Sequence, residues 1–293
     1  MVASTIILNA GGGGQRLASD IDANGIETLA VSATISGGLK LAMGEIVGQT
    51  DFFKYGKNID IGTLSDPEDV WHGGGLYIGF PTGAAETLEI FSSDAADSSG
   101  GTGARTVSIQ QLQDSTGLPM PDITLTLNGV TPVSLGAQTY RRCTRVKVLT
   151  AGTGGANAGA LTLRHTTTTT NIFAVMPVLS NQTAICAYSV PLGFTLYVDY
   201  VQMLLSRASG AAGSANVSLR ARPLGEVFQT KISPTITNSS GFSHTEHYFE
   251  FAALTDIVVR VDSVSDNLTI VSGELGGILV AILKSFLERF FSS

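Results

Sequence analysis

The feature that most constrains this chain is a two-residue alternation, cut short repeatedly by turn residues. In GARTVSIQQL the apolar Val107 and Ile109 interleave with Ser108 and Gln110, and DITLTL repeats the device with Ile123, Leu125 and Leu127. Successive side chains of a β-strand point to opposite faces, so each run offers one face to a core and one to water. From about residue 75 onward such runs recur between Gly, Pro, Asn and Ser clusters, and helix-period stretches are scarce. Strands this short and this regularly punctuated predict an antiparallel sandwich architecture.

The connections carry their own signals. Asn128-Gly129 tolerates positive φ and predicts a type I′ hairpin between DITLTL and VTPVSL. RVKVLT, AGTGGANAG and ALTLRH read as strand, Gly-rich turn, strand, and SSDAADSSGGTGARTVSIQQL shows the same design fifty-odd residues earlier. After residue 178 the pattern resumes as AICAYSV, FTLYVDYVQMLL, ANVSLRARP, EVFQTK, HYFEF, DIVVRV and GGILVAIL. The expected fold is all-β, with two antiparallel β-sandwich (jelly-roll-like) domains at 59–178 and 179–285. An N-terminal arm or docking segment covers 1–58 and a tail covers 286–293.

Composition limits what such a fold can do. Charged residues make up 14% of the 293, against about 25% in ordinary soluble proteins, while 43% are apolar and 34 are Gly. That is ample core material, and a surface so poor in charge suggests coverage by other subunits. Repeated assembly of the chain with itself is the expectation. The net charge of −7, with no basic run longer than Arg141-Arg142, lacks the electrostatic footprint of a nucleic-acid groove. Cys143 and Cys186 are too few and too far apart for a four-ligand metal site and are read as reduced, half-buried strand residues. The N-terminus lacks the pattern of a secretory signal and the apolar C-terminal run is too short to span a bilayer, so synthesis in a cytoplasm and no membrane contact are expected.

Motifs that would carry chemistry fail on inspection. GGTGART lacks the lysine and the following helix of a phosphate-binding loop, and the glycine clusters at 11–14 and 73–79 do not open a helix after a strand. Asp94 and Asp97 supply two carboxylates where a calcium loop needs more, so their segment is read as a solvated turn. HTEH, residues 244–247, is not the helical zinc-peptidase pattern, and neither Cys sits in a nucleophile signature. No catalytic residue, cofactor site or metal site is assigned, and the chain is expected not to be an enzyme. Trp71, before a triple glycine and near Tyr77, is either a sugar-stacking platform or a core or interface anchor.

The succession DVWHGGGLYIGFPTGAAETLEIFSSDAADSSGGTGARTVSIQQL, TLNGVTPV, RVKVLTAGTGGANAGALTL, NQTAICAYSVPLGFTLYV, LRARPLGEVFQTK and TDIVVRV resembles virion structural proteins of tailed bacteriophages of marine or cyanobacterial hosts. The resemblance spans roughly residues 58–283. It implies a β-rich, multi-copy particle component that is assembled in the host cytoplasm, resides in the virion and has no catalytic residues. The expected role is capsid-associated: a decoration, cement or head-fibre protein acting through subunit contacts. Its expected partners are itself, as a homo-oligomer with a trimer favoured, and the major capsid protein or other virion proteins. The alternative is a neck or tail component, or a receptor- or carbohydrate-binding appendage. The candidate interface residues are Phe52, Phe53, Tyr55 and Trp71 near the arm, and Phe286, Phe290 and Phe291 at the C-terminus, since aromatics anchor interfaces.

Overall fold

The computed structural model describes residues 18–21, 27–30, 37–64, 67–210, 213–245 and 248–282. The chain divides between Ile46 and Val47 into two compact units. In the first, β1 (Ala18–Ile21) pairs antiparallel with β2 (Glu27–Ala30), and a short α1 (Gly37–Ala42) follows.

The second unit contains two sandwiches whose strands interleave in sequence. The chain first lays down β3 (Gln49–Ile61) and β4 (Glu68–Asp69), which belong to the sandwich completed by the C-terminal strands. It then builds the other sandwich from β5 (Leu88–Ser92), β6 (Ala104–Gln110), β7 (Leu112–Asp114), β8 (Pro119–Met120), β9 (Ile123–Thr126), β10 (Val133–Ser134), β11 (Tyr140–Arg142), β12 (Arg145–Ala151), β13 (Leu161–His165) and β14 (Ile172–Met176). One sheet runs β10-β5-β13-β14 and another β12-β6-β9, while β11-β7-β8 forms a small third sheet. Gln111, held at φ 55°, separates β6 from β7.

The chain then returns with β15 (Ala187–Ser189), β16 (Phe194–Arg207), β17 (Ser214–Arg222), β18 (Gln229–Ile232), β19 (Thr235–Thr237), β20 (Gly241–His244), β21 (Phe249–Phe251), β22 (Asp256–Val264) and β23 (Thr269–Ala281). These make a sheet ordered β15-β22-β17-β18, with β19 and β4 attached, and a sheet ordered β20-β16-β23-β3, with β21 attached to β16. The all-β sandwich expectation is met.

Residue 58, placed at the end of the arm by the sequence, lies inside β3. DFFKYGKNIDI is sheet because it alternates: Phe52, Lys54, Gly56 and Asn58 turn inward, and the strand pairs with β23 from Gln49 opposite Val280 to Ile61 opposite Thr269. The predicted Asn128-Gly129 hairpin is also corrected. Gly129 sits at φ 61° and Thr131 N donates to Asn128 O at 3.1 Å, so the turn is real. Yet β9 pairs with β6 and β10 with β5, in different sheets. Leu127, only 2% exposed, turns into the core and carries the chain across the sandwich. The two Gly-rich segments do the same: β5 and β6 pair in different sheets, as do β12 and β13, so both segments are crossovers rather than hairpin turns.

Two apolar clusters fill the interior. Ile257, Val259 and Val261 of β22 join Leu196, Val198, Val201, Val217 and Leu219 in one. Val258 of the same strand joins Ile185, Ala187, Tyr140 and Phe173 in the other. The sheet β15-β22-β17-β18 therefore serves both cores, which is why DIVVRV reads as a nearly continuous apolar run, the mark of a strand covered on both faces.

Candidate functional site: a polar seam and an aromatic sheet face

The candidate interface residues do not gather into one patch. Phe52 is 5% exposed and packs on Tyr188 with ring centroids 4.7 Å apart, so it anchors its own core. Trp71, at 3% exposed, packs edge-on to Tyr77 at 5.1 Å and donates from Nε1 to Gly75 O at 3.1 Å. Gly73 lies directly on its ring, where an added Cβ would come within 2.2 Å. Covered in this way, the indole offers no face for a sugar to stack on. Phe53 and Tyr55, by contrast, stack at 6.3 Å on the opposite side of β3, and Phe53 is half exposed. Phe286, Phe290 and Phe291 lie outside the described residues.

Asp97 overturns the reading of its segment as a solvated turn. It is fully buried, and its carboxylate accepts four bonds: Oδ1 from Ala104 N at 2.6 Å and Ala158 N at 2.8 Å, Oδ2 from Gly159 N at 2.8 Å and Ser92 Oγ at 2.6 Å. Both oxygens are saturated by protein donors. The two Gly-rich crossovers thus meet on one carboxylate, and Gly103 is needed there because a Cβ would lie 2.1 Å from Asp97 Oδ1. Asp94 is exposed, and its carboxylate accepts from Ala96 N at 2.8 Å.

Polar side chains join the sandwiches where the outer face of β22 meets β4, β11 and β17. Strand period 2 puts Asp256, Val258 and Arg260 on that face. Arg142 of β11 grips Asp256 in a parallel fork, Nε to Oδ1 and Nη2 to Oδ2, both 2.9 Å, with both side chains about 3% exposed or less. Arg222, opposite Asp256 in the ladder, adds Nη2 to Oδ2 at 3.1 Å, and Arg260 Nε reaches Asp69 Oδ1 at 2.7 Å. Charge-assisted hydrogen bonds counter the desolvation these charges suffer, but at Asp69 burial outweighs Arg260 and raises the carboxyl pKa. Phe228 stacks under both Arg222 and Arg260, at 4.6 and 5.9 Å.

Lys54 crosses from β3 to the bend at Gln111. Its Nζ donates to Gln111 Oε1 at 2.7 Å and to Thr144 O, while Thr144 Oγ1 donates to the same Gln111 oxygen at 2.8 Å. Burial, and secondarily the Arg145 guanidinium, lower its pKa to about 7. Cys143 and Cys186 are free, and both are fully buried rather than half-buried. Desolvation pushes each thiol up to about 12, which makes them poor nucleophiles.

On its outer face the sheet β20-β16-β23-β3 sets aromatics in register. Phe53 lies opposite Gly276, and Gly276 opposite Tyr200; Tyr55 lies opposite Glu274, and Tyr197 opposite Ile278. Tyr200 covers Gly276, where a Cβ would stand 3.3 Å from the tyrosine Cβ. Leu204, 42% exposed, extends the row. Tyr197 and Tyr200 were missed as candidates, although the alternation in FTLYVDYVQMLL, corrected for a register shift between Val198 and Tyr200, puts them on one face.

Among the described residues no group of three or more His, Cys, Asp and Glu side chains is placed to hold a metal ion. His165 is buried against Phe173 and lies 3.6 Å from Glu86, with its pKa lowered chiefly by burial. Glu246 and His247 of the HTEH stretch lie outside the described residues. No helix among the described residues is long and apolar enough to cross a membrane.

No protein-family model and no curated protein matches this chain. Solved structures align only loosely. The vertex protein P5 of PRD1 aligns at 12% identity over 67% of this chain and 98% of that one, with a TM-score of 0.17. The VP2 subviral particle of infectious bursal disease virus aligns at 8% identity over 85% and 79%, with a TM-score of 0.21. Superpositions this loose place no constraint on the role of this chain.

Proposed function

We propose that the chain is a structural subunit of a tailed-phage virion: a multi-copy, head-associated decoration, cement or fibre protein that acts through contacts with copies of itself and with other particle proteins. The observation that carries this reading is the outer face of the sheet containing β3 and β16. There Phe53 and Leu204 are exposed, with Tyr55, Tyr197 and Tyr200 half-buried beside them and the Glu274 carboxylate opposite Tyr55 on the same face. Aromatic and aliphatic side chains grouped on one sheet face are the kind of anchor that protein interfaces use. The resemblance over residues 58–283 supports the same role, and the buried seam gives a subunit whose two sandwiches are held by fixed ion pairs.

Light scattering of the purified protein tests the self-contact. Assembly is expected for the native chain, with at least tenfold weaker association when Phe53 and Tyr200 are both replaced by Ser. Mass spectrometry of particles tests the location. A protein that stays monomeric at high concentration and is absent from particles removes the proposal.

A further inference from the structure

Beside the Arg142–Asp256 pair the seam opens into a cavity of about 400 Å³, lined by Thr82, Arg141, Arg142, Arg222, Glu226 and Asp256 among others. That volume lies within the range of small-molecule sites. Its floor is fixed, because Arg142 is 3% exposed and spends Nη1 on Pro81 O at 3.1 Å and on Arg141 O at 2.8 Å besides its fork on Asp256. Asp256 is shared by two guanidiniums, so the floor is already positive. Arg141 adds a third guanidinium, and Glu226, exposed on the β17–β18 connection, supplies the second carboxylate. Three guanidiniums face two carboxylates in a chain whose overall charge is −7.

The donors of this cavity are not used up. Arg222 engages Nε on Asp256 at 3.2 Å and Nη2 on Asp256 and on Phe80 O, leaving Nη1 without a described acceptor. Arg141 makes a single long contact, Nη1 to Ser115 O at 3.4 Å, and has no ion pair with any described carboxylate. Burial and the neighbouring Arg142 push Arg141 below its ordinary range, as expected for a guanidinium held beside another in a partly dry site. A half-buried guanidinium without an ion pair of its own, next to a rigid ion-paired floor, is the arrangement that planar forks use to recognise oxyanions.

We propose that this cavity binds one oxyanion group, a phosphate, sulfate or carboxylate, with Arg141 and Arg222 as donors and the Arg142–Asp256 pair as the fixed floor. The group arrives either as a free ion or on an acidic sugar, for which the cavity has room. This stands independently of the virion reading, since it needs no second subunit.

Isothermal titration at constant ionic strength, with inorganic phosphate in one arm and glucuronate in the other, tests it on the full chain. Saturable binding to at least one probe is expected, weakened at least tenfold by Arg141→Ala and unchanged by Lys57→Ala, which removes an exposed charge elsewhere. Arg141→Lys keeps the charge but loses the fork and is expected to fall between the two. Melting temperatures without ligand check that each variant is folded. Tighter binding of phosphate supports the free ion as ligand, and tighter binding of glucuronate supports the sugar-borne group. No saturable binding of either probe, or binding indifferent to Arg141→Ala in a folded variant, overturns the proposal.

Discussion

Arg142 and Asp256, 114 positions apart, meet as a buried parallel fork with both bonds at 2.9 Å. Arg142 belongs to one sandwich and Asp256 to the sheet that serves both cores, so the pair fixes the position of the sandwiches in a way that apolar packing alone does not. Hydrophobic contact is non-directional; a fork is satisfied at one distance and one angle.

Breaking this pair is therefore expected to be costly. Asp256→Asn leaves the buried Arg142 and the half-buried Arg222 without their carboxylate, a loss of about 3–5 kcal/mol by analogy with other buried pairs. Arg164→Ala removes a partly exposed partner of Glu89 at 2.8 Å and is expected to cost about 1 kcal/mol or less. Urea unfolding of the two variants decides it: equal losses would mean that the fork does not hold the sandwiches.

Asp97 gives a second contrast within one loop. Asp97→Ala orphans the N–H groups of Ala104, Ala158 and Gly159 and the Ser92 hydroxyl. At roughly 1–3 kcal/mol for each buried donor left unpaired, with some recovery by relaxation, the variant should lose about 3 kcal/mol or more. Asp94→Ala, three residues earlier and exposed, should lose about 1 kcal/mol at most. Chemical denaturation measures both, and a mild Asp97 variant would refute the hub.

These residues also show what could be read from the chain alone. Strand identity was legible, because period-2 alternation depends only on neighbours in sequence. Which strands pair was not: Asn128-Gly129 and the two Gly-rich segments have good hairpin chemistry, yet each lies on a path between sheets, and only the tertiary core decides that. Asp97 resembles its solvated neighbour Asp94 because its four donors come from residues as distant as 159. Charged residues inside alternating runs did carry a signal. Asp256 and Arg260 share a face with Val258, and Lys54 shares one with Phe52 and Asn58, so a buried ionic seam was encoded in plain view but without its partners.

Close packing of β3 is expected to tolerate no side chain at Gly56. An added Cβ would stand 2.1 Å from Cys186 N and 2.4 Å from Val70 O, and backbone atoms cannot rotate away. Gly56→Ala should push β3 from the residues before β15 and cost more than about 3 kcal/mol, at the upper end of overpacking penalties. Gly225→Ala, with open space around it but φ 84°, should cost only about 1 kcal/mol from backbone strain. Thermal unfolding of the pair separates the steric from the conformational effect, and a stable Gly56 variant would contradict the packing.

Lys54 and the two thiols impose a particular pH profile. The folded lysine releases its proton near pH 7, whereas the ordinary value in an unfolded chain is 10.5. Below pH 7 both states are protonated and the burial penalty is constant. Between pH 7 and 10.5 the unfolded chain binds the extra proton, so stability rises with pH. Cys143 and Cys186 act in the opposite sense: raised from 9.0 to about 12, they keep protons in the fold that the unfolded chain loses. The buried Tyr77 and Tyr188 phenols, also raised, add to this above pH 10. Two thiols outweigh one amine, so stability should climb from pH 7, pass a maximum near 9 and then fall. At about 1.4 kcal/mol per pH unit per proton, less what the two thiols already remove by pH 9, the climb amounts to about 1.5 kcal/mol. Lys54→Met fits a stem of similar length without the charge and should abolish the climb while leaving the fall. Unfolding free energies measured from pH 6 to 11 test this, and a flat profile between 7 and 9 for the native chain would show that Lys54 keeps its proton in the fold.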